Sequence, residues 1–166
     1  MSNQVILCHS ANKILAGLLS GNSQYSPNVM YVEFQQGSTP VPALSLPEVD
    51  PADNHYYLDL RDNTLSNRDF LRIPIASITP YTAPASTDIS LFFNGICVGT
   101  EGVGGKSTAG SVIYGIAIAN APTYGLSIDD LTTDLIWARG YFAPENQMPF
   151  STVAQTSITF KLNLTK

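Results

Sequence analysis

The sequence predicts an all-β protein, an antiparallel β-sandwich or jelly-roll-like barrel with one short N-terminal helix. Segments with apolar residues at every second position recur along the chain, as in half-buried strands. Loops rich in Gly, Pro, Ser and Thr separate them, and neither a strand–helix–strand rhythm nor a repeat of fixed period is present. The 166 residues are expected to form a single domain, 1-166.

The first predicted element is a short helix. Ser10 is a favourable N-cap for a helix over Ala11–Leu19, and Gly21 is a favourable stop. At about two and a half turns the helix is too short to be stable alone, so it must pack on something. The apolar stripe expected to do so consists of Ile14, Leu15, Leu18 and Leu19.

Strands are predicted next by apolar residues at alternating positions or in short runs. Pro74 places the third strand at a sheet edge or a strand end. Asn94-Gly95 is the strongest hairpin signal in the chain, because a type I′ turn needs positive φ at both central residues. The predicted strands cover residues 30–35, 55–60, 70–75, two halves of 89–98, and 111–120. The strand at 111–120 has apolar residues on both faces, and a loop is expected at 78–88.

The C-terminal segment Leu135–Thr165 is expected to anchor the fold. It comprises a strand at 135–142, a proline-containing loop and a last strand whose alternation is the cleanest in the chain. A terminus that ends in such a strand is tied into a sheet. With regular alternation, Trp137, Arg139 and Tyr141 share one face of the 135–142 strand, and that face is expected to meet a neighbouring element or subunit.

A proline-rich stretch at about 37-54 is predicted to be an extended arm that lies on its own domain or on a neighbour. Four prolines exclude regular structure other than an edge strand or polyproline-like chain. The stretch is nevertheless too apolar for a solvated linker. Its candidate contact residues are Val41, Leu44, Leu46 and Val49.

The stretch Thr100–Thr108, TEGVGGKST, matches only the end of a phosphate-binding P-loop. The first glycine of that motif would fall at Thr100, and the residues that follow read as a strand rather than the required helix. A mobile hairpin tip is therefore predicted, with Gly104 and Lys106 as candidate contact residues.

Composition argues against several functional classes. The net charge is −5 and the eight basic residues are scattered, so nucleic acid is not an expected partner. Cys8 and Cys97 show no metal spacing and are expected to be free buried thiols. No signal peptide or membrane-spanning run is evident, and neither His9 nor His55 belongs to a catalytic motif. No catalytic residue, metal site or cofactor is predicted, so a non-enzymatic protein is expected.

The surface composition favours assembly. Charged residues make up only 13% of the chain, about half the usual ~25%, so a neutral-polar surface must cover much of the protein. Such a surface is either buried in an assembly or simply tolerated, as in many β-proteins. The eight tyrosines fit protein interfaces or cores, and alternatively a glycan-binding platform.

The order of segments resembles small virion proteins of tailed bacteriophages. The matching stretches are ANKILAGLLSG, VMYVEFQQGSTP, FLRIPI, VIYGIAIAN and the C-terminal half, where the pattern L-x-A-R-x-x-F-x-P is followed by an alternating strand. In this chain the pattern residues are Leu135, Ala138, Arg139, Phe142 and Pro144, then Ser157–Leu164. The proline-rich arm and 121–134 depart most from the pattern.

The resemblance implies a non-enzymatic virion structural protein, first of all a capsid decoration (cement) protein that stabilises the capsid lattice. The alternative is a tail-, baseplate- or fibre-associated protein that binds a host surface or glycan. The implied partners are the major capsid protein or tail proteins. A homo-oligomer is also implied, a trimer ahead of a dimer. The implied location is the virion, after synthesis in the host cytoplasm.

Overall fold

The all-β fold predicted from the sequence is confirmed by a computed structural model, which describes residues 4–7, 10–21, 26–40, 67–82, 89–99, 101–121, 135–151 and 153–164. The expected strand at 55–60, the segment 122–134 and most of the proline-rich arm, with Val41, Leu44, Leu46 and Val49, lie outside this range. The described elements are β1 (Gln4–Leu7), α1 (Ser10–Leu19), β2 (Val29–Gln36), β3 (Arg68–Thr82), β4 (Ile89–Cys97), β5 (Ser111–Asn120), β6 (Leu135–Tyr141), a 3-10 helix (Pro144–Asn146), β7 (Met148–Pro149) and β8 (Thr156–Leu164).

The described strands form one curled antiparallel sheet in the order β1-β6-β5-β2-β3-β4-β8, with β7 paired to β5. The long strand β3 belongs to both halves of this sheet. Its first part pairs with β2 as far as Pro74, and its second part pairs with β4 from Ile75 to Thr82. The register shifts between Ile75 and Ser77, and such an irregularity bends and twists a strand. The two halves can therefore fold toward each other.

The main core lies on the inner face of the curl. β2 and β5 contribute Met30, Val32 and Ile113 to it, and β8 contributes Ile158 and Phe160 from the other half. The alternation predicted for the last strand is confirmed from Ile158 to Asn163, because Ile158, Phe160 and Leu162 are buried and the polar residues that alternate with them are exposed.

A second apolar cluster lies on the opposite face of the first half. It contains Tyr31 and Phe70, whose ring centroids are 5.2 Å apart, with the small side chains of Ala117 and Ala119 beside them. Strand β5 is buried at every position, which confirms that it is covered on both faces. Strand β2 is also buried on both faces over its first six residues, more than its half-polar pattern predicted.

The hairpin turn expected at Asn94-Gly95 is wrong, because β4 runs straight through both residues. The Asn94 amide instead donates to the Ser77 hydroxyl on one neighbouring strand and accepts from the Thr159 hydroxyl on the other. The Ile73 side chain lies against Gly95, and an added Cβ there would come within 2.9 Å of Ile73 Cδ1. The glycine therefore permits a close side-chain approach rather than a turn.

The loop expected at 78–88 is wrong for residues 78–82, where β3 extends to Thr82, and residues 83–88 lie outside the described part of the chain. Pro80 lies within this extension. It is tolerated there because β4 is the only described strand that pairs with this half of β3, so no second ladder needs the missing N–H.

The predicted helix is confirmed, but the packing expected of its apolar stripe is not found at Leu15 and Leu19, and the side chains of Ile14 and Leu18 lie outside the described residues. The helix begins at Ser10, and the chain leaves it through Gly21 with φ of 79°, the left-handed conformation that glycine adopts without strain. α1 packs against β6 with Ala11 buried. Leu15 and Leu19 of the expected stripe are exposed instead, Leu19 by 81%.

Candidate functional site

The face predicted to contain Trp137, Arg139 and Tyr141 does not exist, because β6 is irregular. Ala138 pairs with Ile118 and Ile136 pairs with Ala119, so Trp137 is an extra residue opposite a shift in register. Such a bulge interrupts the alternation of side chains. Trp137 consequently packs against the main core, with its ring centroid 5.3 Å from that of Phe93.

Arg139 and Tyr141 are buried inside the chain, so of the two contacts expected for them they make the one with a neighbouring element, and neither is exposed to a subunit. Arg139 is 3% exposed and forms an ion pair with Glu33, which is 0% exposed. Two parallel hydrogen bonds connect the side chains: Nε donates to Oε1 and Nη2 donates to Oε2, each at 2.8 Å. This bidentate geometry is the strong form of an arginine–carboxylate pair. It ties β6 to β2 across the intervening strand β5.

Aromatic side chains surround the ion pair. The Arg139 guanidinium lies 4.5 Å from the ring centroid of Tyr141, and the Tyr114 hydroxyl donates to Glu33. Burial, followed by the negative charge of Glu33, raises the pKa of Tyr114, so this phenol stays protonated. Gly115 lies opposite Glu33 in the sheet, and an added Cβ would come within 2.9 Å of the Tyr141 ring. The residues thus form a tightly packed polar cluster within the sheet.

The glycine-rich loop at 101–107 encloses an internal anion. The Asp69 carboxylate accepts from the Gly104 N–H at 2.8 and 2.9 Å and from the Lys106 N–H at 3.2 Å. Gly105 has φ of 78°, and the Gly102 N–H donates to the Lys106 carbonyl, which closes the turn. Successive backbone N–H groups in such a turn form an anion-binding nest. Here the nest holds a carboxylate of the same chain where a P-loop would hold phosphate.

The loop is also attached to the edge of β3, in contrast to the mobile tip predicted. The Val103 N–H donates to the Phe70 carbonyl at 2.9 Å, and Lys106 Nζ donates to the Arg68 carbonyl. Of the two candidate contact residues, Gly104 is exposed, whereas Lys106 is half-buried with its ammonium group bound inside. The loop therefore covers a strand edge that β4 leaves open.

Replacement of Asp69 by alanine is expected to release this loop and to destabilise the fold by about 1–3 kcal/mol, because the N–H groups of Phe70, Gly104 and Lys106 lose their acceptor. Limited trypsin digestion followed by mass spectrometry should then show rapid cleavage after Lys106, whereas the parent should be protected at this residue. Glu101→Ala is the matched control, since it removes an exposed carboxylate from the same loop and should leave Lys106 protected. Equal cleavage of the Asp69→Ala variant and the parent would contradict the anchoring role.

A groove that the sequence did not predict opens beside this loop, where β3 and β4 separate. Ile75 and Gly95 form the last pair between them, after which β4 continues along β8. The groove has a volume of about 420 Å³, and Arg72 and Glu101 contribute charged groups to its wall. Its apolar wall consists of Leu71, Ile73, Ile96, Val98 and Val103. The alternating pattern predicted only that Ile96 and Val98 belong to a strand. They are 50% and 53% exposed because β3 separates from β4 before it reaches them.

The outer face of β3, β4 and β8 is a second exposed surface. Tyr81 packs edge-on against Phe92 with ring centroids 6.1 Å apart, and Lys161 Nζ lies 5.6 Å from the Phe92 centroid. Beside them, the hydroxyls of Ser77 and Thr159 are hydrogen-bonded to Asn94. The surface combines aromatic rings, neutral polar groups and one cation.

The remaining candidate features are the cysteines, metal-binding clusters and membrane-spanning helices. Cys97 is a free thiol in the main core, as predicted, and burial raises its pKa to about 12, so it stays protonated at neutral pH. The side chain of Cys8 lies outside the described residues. Within the described ranges, no group of three or more His, Cys, Asp or Glu residues could hold a metal ion. No helix in that part of the chain is long and apolar enough to cross a membrane.

Comparison with known proteins adds no relative. No protein-family model, curated protein or solved structure matches this chain.

Proposed function

We propose that this protein is a non-enzymatic structural component of a tailed-phage particle, a decoration protein that binds the capsid lattice and stabilises it. The observation that carries the proposal is the groove between β3 and β4, where Ile96 and Val98 are half exposed beside buried apolar residues. An exposed apolar depression with charged groups at its wall is typical of a protein-binding surface. The proposed partner is the major capsid protein.

The use of charge within the fold supports the same function. The chain has few charged residues, and Glu33 and Arg139 are spent on a buried pair. The exposed surface therefore has few charged groups that would have to be desolvated on packing against a lattice. A subunit that binds only the assembled lattice shifts the equilibrium toward the assembled state, so binding over a broad area is sufficient for function without a reactive site.

The test adds purified protein to capsids that lack it and measures co-sedimentation and the temperature of capsid disruption. The parent is expected to bind and to raise that temperature. Ile96→Asp and Val98→Asp should each weaken binding by about tenfold or more, because a buried apolar contact of about 1.5–3 kcal/mol is replaced by a charge. Val153→Asp is the matched control, since Val153 is 96% exposed and lies outside the groove.

Two results would contradict this proposal. A parent protein that binds neither capsids nor tails would remove its basis. Binding that is unchanged by both groove substitutions, or equally weakened by Val153→Asp, would remove the assignment to the groove.

A second candidate function is favoured by the outer face of β3, β4 and β8. Exposed Tyr81 beside Phe92, with the amide and hydroxyls of Asn94 and Thr159 nearby, provides the aromatic and neutral polar groups that suit a sugar ring. A tail-associated protein that binds a host-surface glycan would use such a face. Specific glycan-array signals that are lost in Tyr81→Ala, without any binding to capsids, would favour this function over capsid decoration.

A further inference from the structure

The free strand edges of this sheet are protected in different ways, with one exception. An open edge exposes unpaired N–H and C=O groups, and proteins commonly block it with proline, bulges, charges, short strands or covering loops. The loop at 101–107 covers the first half of β3, and Pro80 and a register shift interrupt the edge of its second half. β7 covers the start of β5, and the outermost strand on the far side, β1, has only four residues.

Strand β8 is the exception. It is nine residues long, contains no proline, and pairs with β4 without a register shift along its whole length. It is the last strand in the sheet order, and no other described strand pairs with its outer edge. A long, regular edge of this kind is a template for another strand.

Three polar side chains of β8 lean toward β4 and so leave this edge sterically clear. Lys161 is the only charged residue of the strand, and its ammonium group lies over the Phe92 ring on β4 rather than beside the edge. Thr159 donates to Asn94 of β4, and Asn163 accepts from Ser90 of the same strand. The one lysine that could have blocked edge pairing is therefore directed away from it.

We propose that the outer edge of β8 pairs with β8 of a second copy of this chain, antiparallel about a two-fold axis at Phe160. In this register Ile158 lies opposite the partner's Leu162, so the apolar faces of the two sheets are continuous. Thr159 lies opposite the partner's Lys161, and no charge faces a like charge. A shift of the axis to Lys161 would place two ammonium groups directly opposite each other, which is destabilising.

A second copy fits this edge because the strand is self-complementary under two-fold symmetry. Two-fold dimers are the commonest oligomers, and their interface uses the same surface patch twice. A shift by one residue would place apolar side chains opposite polar ones, so the alternating pattern excludes such registers. The expected oligomer is thus a dimer, in place of the trimer expected first from the sequence. The inference does not depend on the proposed capsid function.

The test measures the mass of the chain by sedimentation velocity over a wide concentration range. The parent should show a concentration-dependent shift from 17.9 kDa to twice that mass. Thr159→Lys should weaken dimerisation by about tenfold or more, because each subunit then places a lysine opposite the partner's Lys161. Thr159→Glu should strengthen it, because the same position then faces the partner's Lys161 with opposite charge.

Thr79→Lys is the matched control, since Thr79 is an exposed threonine on the same outer face but two strands from the edge. It should dimerise like the parent, and far-UV circular dichroism should show that all variants are folded. The inference is overturned if the parent stays monomeric at every concentration, if its limiting mass is that of a trimer, or if Thr159→Lys dimerises as the parent does. It is also overturned if Thr79→Lys weakens dimerisation as much as Thr159→Lys does. The same holds if the parent stays monomeric and the edge of its β8 strand binds a different protein instead.

Discussion

Replacement of Arg139 by methionine is expected to destabilise the fold by about 3–5 kcal/mol, because the buried Glu33 carboxylate would lose its cation. Arg139→Glu should be at least as damaging, since it places two carboxylates together. Arg139→Glu is therefore expected to unfold the protein, whereas the same substitution at a surface position would leave it folded. Urea denaturation followed by circular dichroism measures both variants, with the slope of the transition checked against that of the parent.

The double variant Glu33→Gln with Arg139→Met tests the physical reason. It removes both charges, so it should recover much of the stability lost in the single variant. Lys161→Met is the matched control, because it removes an exposed cation and should change the free energy of unfolding by about 0.5 kcal/mol or less. A single Arg139→Met variant within about 1 kcal/mol of the parent would contradict a stabilising pair.

Replacement of Ile158 or Phe160 by aspartate is expected to unfold the protein. Both side chains are buried in the main core, and Phe160 packs against Phe93 with ring centroids 6.3 Å apart. A carboxylate placed there has no partner in the apolar cluster and costs several kcal/mol in addition to the lost apolar contacts. That is a large part of a total stability of about 5–15 kcal/mol. The measurements are thermal unfolding, which should lose its cooperative transition, and solubility, which should fall.

Thr159→Asp is the matched control for this prediction. Thr159 lies between the two core residues on the same strand, but its side chain is exposed. The same chemical change should therefore leave the protein folded. A soluble Phe160→Asp variant with a cooperative transition like that of the parent would show that β8 is not needed to complete the core.

The sequence by itself determined the elements whose signal is local. Alternation along Ile158–Leu162 reports directly which side chains are buried, because successive residues of a strand point to opposite faces. The two-faced strand Ser111–Asn120 and the helix that ends before Gly21 were likewise evident from residue type and spacing. The all-β class follows from these elements.

Only the tertiary structure decided how the elements meet. Glu33 and Arg139 are 106 positions apart, and no local pattern reports that β5 brings them together. Asp69 lies 35 positions from Gly104, so its place inside the glycine-rich turn was equally invisible. Trp137 shows the physical reason: one extra residue in a strand reverses the face of every side chain beyond it, and whether it occurs depends on the pairing partner.

The same dependence governs exposure. The apolar character of Ile96 and Val98 was evident, but their position on a groove depends on where β3 leaves β4. Asn94-Gly95 has the composition of a turn, yet cross-strand bonds and the close approach of Ile73 keep it in a strand. Local composition therefore determined which segments form strands, whereas pairing between distant segments decided which of their side chains remain available to a partner.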